Sequence, residues 1–329
     1  MGLKMGYSAQ MFVNILINAF FCLPVVIYLY VRAIVRKIFF SRFKKSIDLT
    51  NKTVIRTVLF VKSVTGAGSG VGRSLAIEFS KFSTCLVLVD INKSPLLDTE
   101  KLLNRTSRVF VYQCDVSKRE EVYKMARAVK DEVGKVAILI NNAGVVIGKR
   151  FLDLPDEGVE KTFAVNILSH FWMCKAFLPA MVMDNQGHIV SVASFVGFVG
   201  LAKLTDYVAS KFAAVGFAET LSLELFKEGL NGVKITTICP TLISSGLFSG
   251  TKEPLNVSVT PEYVAKTIVS AVQKGKEGVI CVPGALKLII ILKALIPDFI
   301  FKWLAKECGL LYIMDTFQGR MNMTAKTSQ

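Results

Sequence analysis

The stretch Tyr207-Val-Ala-Ser-Lys211 sets a phenol and an ammonium four residues apart. On a helix the two share a face. A phenol is a poor base near neutrality, because its ordinary pKa is about 10. A neighbouring ammonium favours the phenolate and lowers that value. Such a pair can take a proton from an alcohol or return one to a carbonyl. Tyr-x-x-x-Lys also occurs on ordinary helices, so the pair gains meaning from its company. Ser194 follows an apolar run thirteen residues upstream. Asn141-Asn142-Ala143-Gly144 closes another such run, and Asn166 stands in a helix-like segment, Phe163-Ala-Val-Asn166.

A second constellation lies nearer the start. In TGAGSGVG, Gly66, Gly70 and Gly72 follow an apolar run and open a helix-length segment. Glycines there let the backbone turn tightly and approach a pyrophosphate, while the helix N-terminus offers free N–H groups and a positive dipole end. A glycine loop alone is weak evidence. Here the next apolar run ends in Asp90, close to the spacing at which a carboxylate meets the ribose of a dinucleotide. A carboxylate accepts hydrogen bonds from ribose hydroxyls and repels a 2′-phosphate, which favours NAD over NADP. Lys93, close behind, pulls the other way.

TGAGSGVG, NNAG, Asn166, Ser194 and Tyr207-x-x-x-Lys211, in this order, resemble the short-chain dehydrogenase/reductase family from roughly Val58 to Val282. The resemblance implies a role for each matching residue. Tyr207 is the acid/base, Lys211 binds the nicotinamide ribose and tunes Tyr207, and Ser194 bonds the substrate oxygen. Asn166 holds a water that links Lys211 to solvent. Gly66, Ser69, Gly70, Val71 and Gly72 wrap the pyrophosphate, and Asp90 takes the adenosine ribose. Asp115 and Val116 flank the adenine, Asn142 lies along the cofactor, and Pro240 opens the segment over the nicotinamide. The chain departs mildly from the pattern in having Thr241 after Pro240 and Ser245 where a threonine often contacts the carboxamide.

Within the family, LVDINK, KAFLPAM and DYVASKFAAVGFAETLSLEL look most like the membrane-associated branch of epidermal retinol dehydrogenases and lipid-droplet 17β-hydroxysteroid dehydrogenases. That likeness implies retinoid, steroid or similar lipid substrates, and a place on the endoplasmic reticulum membrane or lipid droplets. It leaves room for a homodimer. Two other functions stay open: an NADPH-dependent carbonyl reductase on the same fold, and a lipid-droplet scaffold protein with little catalysis.

These residues need a frame. Thr84–Asp90, Arg108–Val116, Val136–Gly144, His188–Ser194 and Val233–Pro240 are short, β-branched and continuously apolar, as strands buried on both faces are. Helix-length segments such as Val71–Phe82 and Lys118–Val133 lie between them. Such alternation predicts an α/β fold, a Rossmann-type doubly wound parallel sheet covered by helices on both faces. We expect a membrane anchor and basic flank over 1–40, a linker over 41–53, the dehydrogenase domain over 54–283 and an apolar segment with a polar tail over 284–329.

Met11–Val35 is apolar for about the ~20 residues that span a bilayer. Arg32, Arg36, Lys37, Arg42, Lys44 and Lys45 accompany and follow its end, so that side, and the main domain, should face the cytosol. Pro24 can kink the segment, which keeps a hairpin anchor open. Gly284–Met314 is apolar but interrupted by Lys287, Lys293, Pro297, Asp298 and Lys302. It suits either the membrane interface, with Trp303 as an anchor, or the floor of a substrate pocket.

The chain has 329 residues, 52% hydrophobic, with net charge +15. Without an aromatic-basic module or zinc spacing, that charge fits an anionic membrane surface better than nucleic acid. Seven dispersed cysteines without a CxxC pair suit a reducing compartment, and the distant His170 and His188 make no metal site. The first strand is the misfit. Arg56–Val64 looks interposed before TGAG, and it sets Lys62 where the sheet should be covered. An ammonium there must find a partner or escape to solvent.

Overall fold

The computed structural model describes residues 61–82, 84–252 and 258–319, with Tyr30 isolated before them. The expected anchor, Tyr30 apart, lies outside the described residues, as do the linker and residues 56–60 of the interposed segment. The elements below belong to the unit Val54–Gln329.

Strands and helices alternate. The series begins with β1 (Val61–Thr65), α1 (Gly70–Ser80), β2 (Cys85–Asp90) and α2 (Lys93–Lys101). It continues with β3 (Arg108–Gln113), α3 (Arg119–Glu132) and β4 (Val136–Asn141). Next come α4 (Asp156–Phe163), a π-helical turn (Ala164–Leu168), α5 (Ser169–Met183) and β5 (Gly187–Val192). Then follow α6 (Thr205–Lys227), β6 (Val233–Pro240), α7 (Pro261–Gln273) and β7 (Gly278–Val282). Two apolar helices, α8 (Leu286–Leu295) and α9 (Asp298–Glu307), close the series. The expected strands are present with ends trimmed by a few residues. β7, a five-residue strand that opens on glycine, is not among the expected strands.

The strands form one sheet in the order β3-β2-β1-β4-β5-β6-β7, with every pairing parallel. Side chains alternate across it, as the pleat requires. Leu86, Leu88, Ile138 and Ile140 face α1 and α7, whereas Val87, Val89 and Leu139 face α3 and α5. That two-sided burial explains the unbroken apolar runs. The strand order reverses between β1 and β4, so their following loops diverge there and leave a crevice.

The run 156–183 is long and apolar enough to cross a membrane, yet it is a core element. Met173, Cys174, Phe177 and Met181 bury one side of it against the sheet.

Lys62 is buried in β1 between Leu86 and Ile138 of the neighbouring strands. The pairing of β1 with β4 shifts register between Val61 and Lys62. The ammonium finds a partner: it donates to Thr84 Oγ1 and lies 5.7 Å from the Phe79 ring centroid. Burial still pulls its pKa down to about 8.

Candidate active site

The turn after β1 is shaped by glycine. Gly66 and Gly70 have φ of +67° and +51°, where a side chain is strained. Gly72 is needed for closeness, because a Cβ there would overlap the Gly66 carbonyl oxygen. The Ser69 side chain makes no capping bond to α1, and Gly70 and Val71 face the crevice. The residues thus fit a bound pyrophosphate: the backbone folds back on itself and a helix N-terminus faces the space. Thr65, not among the expected site residues, ties this turn to the end of β4. Its Oγ1 accepts from the Asn142 and Ala143 N–H groups at 2.9 and 3.1 Å. Asn142 Nδ2 in turn donates to the Thr65 carbonyl at 2.8 Å. Its adjacency to Gly66 was the available signal.

Asp90 ends β2 at the edge of the same crevice. Its Oδ2 accepts from the Gly68 N–H at 3.0 Å and its Oδ1 from the Asn92 N–H at 3.1 Å. The carboxylate therefore braces the glycine turn and also lines the space where a ribose would lie. Arg73 is tied to the glycine turn, donating to the Gly68 carbonyl at 2.6 Å and to Thr99 Oγ1 at 3.1 Å. Asp115 and Val116, just past β3, line the next part of the wall. Asp115 Oδ1 accepts from Ser117 Oγ at 2.7 Å, which fixes that loop.

Tyr207 and Lys211 lie on the first turns of α6, and both are buried. The Lys211 ammonium donates to the Val192 carbonyl at 3.0 Å and lies 5.5 Å from the Tyr207 ring centroid. Burial pulls it down to about 8, while the Cys239 thiol opposes the shift. The expected lowering of the phenol does not hold in the protein alone. Burial raises Tyr207 above its ordinary value, and a hydrogen bond with Ser194 opposes that only in part. Taking a phenolate out of water outweighs an ammonium that does not touch its oxygen. Ser194 lies two residues past β5, and its Oγ also accepts from the Val196 N–H at 3.3 Å.

Asn166 and Gly72 do not reach the cavity wall. Asn166 lies on the π-helical turn, fully buried. Its Oδ1 accepts from the Val145 N–H at 2.8 Å, and its Nδ2 donates to the Val145 carbonyl and to Ser210 Oγ, both at 3.0 Å. Ser210 Oγ donates to the Tyr207 carbonyl at 2.7 Å. The amide thus clamps the loop after β4 to the helix that carries Tyr207. The extra residue of a π-turn re-aims a side chain in this way. His170 and His188 are buried imidazoles whose pKa values burial pushes down to about 3 and about 4.

One cavity of about 450 Å³ joins these groups. Gly66, Ser69, Gly70, Val71, Asp90, Asp115, Val116 and Asn142 line one end of it. Ser194, Tyr207, Lys211, Pro240 and Ser245 lie along the middle. The other end is apolar: Leu286 and Ile289 of α8, Phe301 and Ala305 of α9, then Leu310, Leu311, Ile313 and Met314. Pocket floor and exposed apolar surface are therefore two sides of one segment. Leu288, Ile291, Leu292 and Leu295 of α8 and Phe299 and Trp303 of α9 are exposed. Lys293 fastens α8 by donating to the Phe198 carbonyl at 2.7 Å.

The family profile described as short chain dehydrogenase matches residues 61–256. Epidermal retinol dehydrogenase 2 of Mus musculus is 43% identical over 266 residues, covering 79% of this chain and 86% of that protein. Estradiol 17-beta-dehydrogenase 11 of Rattus norvegicus is 40% identical over 259 residues, covering 78% and 86%. A short chain dehydrogenase/reductase structure from Burkholderia phymatum in complex with NAD has a TM-score of 0.64 and 26% identity, over 71% of this chain and 92% of that one.

Proposed function

Because the chain belongs to the short-chain dehydrogenase family and is an NAD(P)-dependent oxidoreductase of CH–OH groups, we propose that it is a membrane-anchored, NAD-linked dehydrogenase of lipophilic alcohols. One observation carries this reading. Tyr207, Ser194 and Lys211 line a single cavity between a glycine turn at one end and an apolar wall at the other.

NAD, when bound, supplies the acceptor for the hydride that leaves the carbinol carbon. Tyr207 takes the hydroxyl proton as the carbonyl forms, and Ser194 Oγ holds the substrate oxygen. Lys211, positioned by the Val192 carbonyl, would hold the nicotinamide ribose, and its ammonium would favour the phenolate that burial alone disfavours. Asn166 is a positioning residue in this reading, because its side-chain bonds run to Val145 and Ser210. The preference for NAD rests on Asp90 at the cavity edge and on Arg73 being tied to the glycine turn.

The membrane assignment draws on the apolar stretch Met11–Val35, its basic flank, and the exposed apolar side of α8 and α9. The lipid substrate class draws on the apolar cavity end and on the names of the relatives. The membrane in question would be the endoplasmic reticulum or a lipid-droplet surface, with the enzyme domain in the cytosol.

The test is to incubate the full chain with NAD or NADP and a panel of retinoids, steroids and fatty alcohols. The expected result is NADH from at least one apolar alcohol. Reaction with NADP alone overturns the cofactor assignment, and no reduced nucleotide from any alcohol overturns the dehydrogenase reading.

A further inference from the structure

The chain that follows α9 crosses the apolar end of the cavity, and it is fastened at four points. The Lys252 N–H donates to the Ile313 carbonyl at 2.9 Å, and the Gln318 N–H donates to the Ser249 carbonyl at 2.9 Å. The Lys203 ammonium meets Asp315 Oδ1 at 2.6 Å. The Phe317 ring covers Gly148, where an added Cβ would overlap the ring and lie 3.1 Å from the Met314 methyl. Between the first and last of these, Met314 is buried in one apolar cluster with Leu204 and Tyr207. Phe248 links the two sides, its ring centroid 5.6 Å from that of Tyr207 and 6.4 Å from that of Phe317.

Two of the fastening points carry unusual backbone. Gly148 has φ of +72°, which a glycine adopts freely. Lys203 has φ of +63°, which a residue with a side chain rarely adopts. It keeps that conformation where its side chain reaches Asp315. The ion pair is partly exposed, so it sets register more than it supplies binding strength. The Phe317–Gly148 contact excludes any larger residue and is the better candidate for the latch.

We propose that residues 310–319 form a strap that closes the substrate end of the cavity, that Phe317 seated on Gly148 latches it, and that the strap sets the preference for long apolar substrates. Leu310, Leu311, Ile313 and Met314 are the wall it contributes. A long alkyl chain would lie against that wall, whereas a short one would end before it. With the latch open, water reaches the wall and the long chain loses its burial. The substrate class rests on the proposed function; the latch itself rests only on the contacts above.

The experiment compares Phe317→Ala with the parent full chain in lipid nanodiscs, with Phe317→Leu as the conservative variant. Two readouts are taken. Amide exchange at Lys252 and Gln318 should quicken at least about tenfold in Phe317→Ala, as for local opening, and Phe317→Leu should restore most of the protection. KM for 1-dodecanol should rise about tenfold relative to that for 1-hexanol, the pattern of lost binding rather than lost chemistry. Unchanged exchange overturns the latch whatever the kinetics. Faster exchange with an unchanged ratio of KM values overturns the specificity role. A parent chain that oxidises no apolar alcohol overturns the proposed function and the specificity role with it, while exchange still decides the latch.

Discussion

The two ends of the cavity are built on opposite principles. The dinucleotide end is a hydrogen-bonded lattice of short local segments. Thr65 holds Asn142 and Ala143, Asp90 holds Gly68, and Gly72 lets Gly66 fold back. The substrate end has few such bonds. Aliphatic and aromatic side chains from α8, α9 and residues 310–314 converge there, from segments 79 to 107 residues beyond Tyr207. A dinucleotide is a fixed polar shape, and it demands donors and turns at fixed places. An apolar substrate demands only a dry volume of the right length, which many sequences can line. Tyr207 stands at the junction, bonded with Ser194 on one side and packed with Phe248 and Met314 on the other.

Substitution at that junction should have the largest effect. Tyr207→Phe removes the proton acceptor and leaves the ring contacts with Phe248 and Met314. Turnover should fall about 10²–10⁴-fold, the usual contribution of a positioned acid/base, while NADH binding measured by fluorescence persists. Near-normal turnover would take the proton step away from Tyr207. Gly72→Ala probes the polar end. Its Cβ has no room against the Gly66 carbonyl, so the turn must open and NADH affinity should fall about tenfold or more, with a cost of about 1–3 kcal/mol as for overpacking. Unchanged affinity would mean that the turn tolerates a wider path.

Much of the polar end was legible in the sequence. Gly66, Gly70 and Asp90, and Tyr207 with Lys211, are readable from local spacing, Asn142 and Ser194 from the family resemblance, and the structure gathers them around one cavity. Thr65 was missed although it adjoins Gly66. Gly72 and Asn166 were identified, but their side of the story is packing and clamping rather than cavity lining. The apolar end was much less legible. Gly284–Met314 reads as apolar with interruptions, and hydrophobicity does not say which face a pocket takes and which face stays exposed. Phe317 on Gly148 depends on a contact across 169 positions, the difference of the two numbers, and no spacing rule reaches that far. β7 was missed because a five-residue edge strand carries little pattern.

The smallest expected effect concerns the strand beneath the glycine turn. Lys62 is a buried ammonium whose pKa is lowered to about 8. A lowered lysine pKa means that the unfolded chain binds more protons between about pH 8 and its ordinary value near 10.5. Stability should therefore rise with pH through that window, and the charge is most costly below it. Lys62→Met keeps the volume and removes the charge. It should raise stability near pH 7 by about 1–3 kcal/mol, as when other buried charges are replaced by apolar groups, and flatten the rise above pH 8. A lower melting temperature would show that the bond to Thr84 outweighs the cost of burial.

The most direct measurement of the central claim is NADH formation by the full chain in lipid, with NAD or NADP and apolar alcohols in parallel. NAD-dependent oxidation of at least one retinoid, steroid or long fatty alcohol is expected, with weaker reaction of a short polar alcohol such as ethanol. Oxidation that requires NADP, or that favours ethanol over every apolar alcohol, would contradict it.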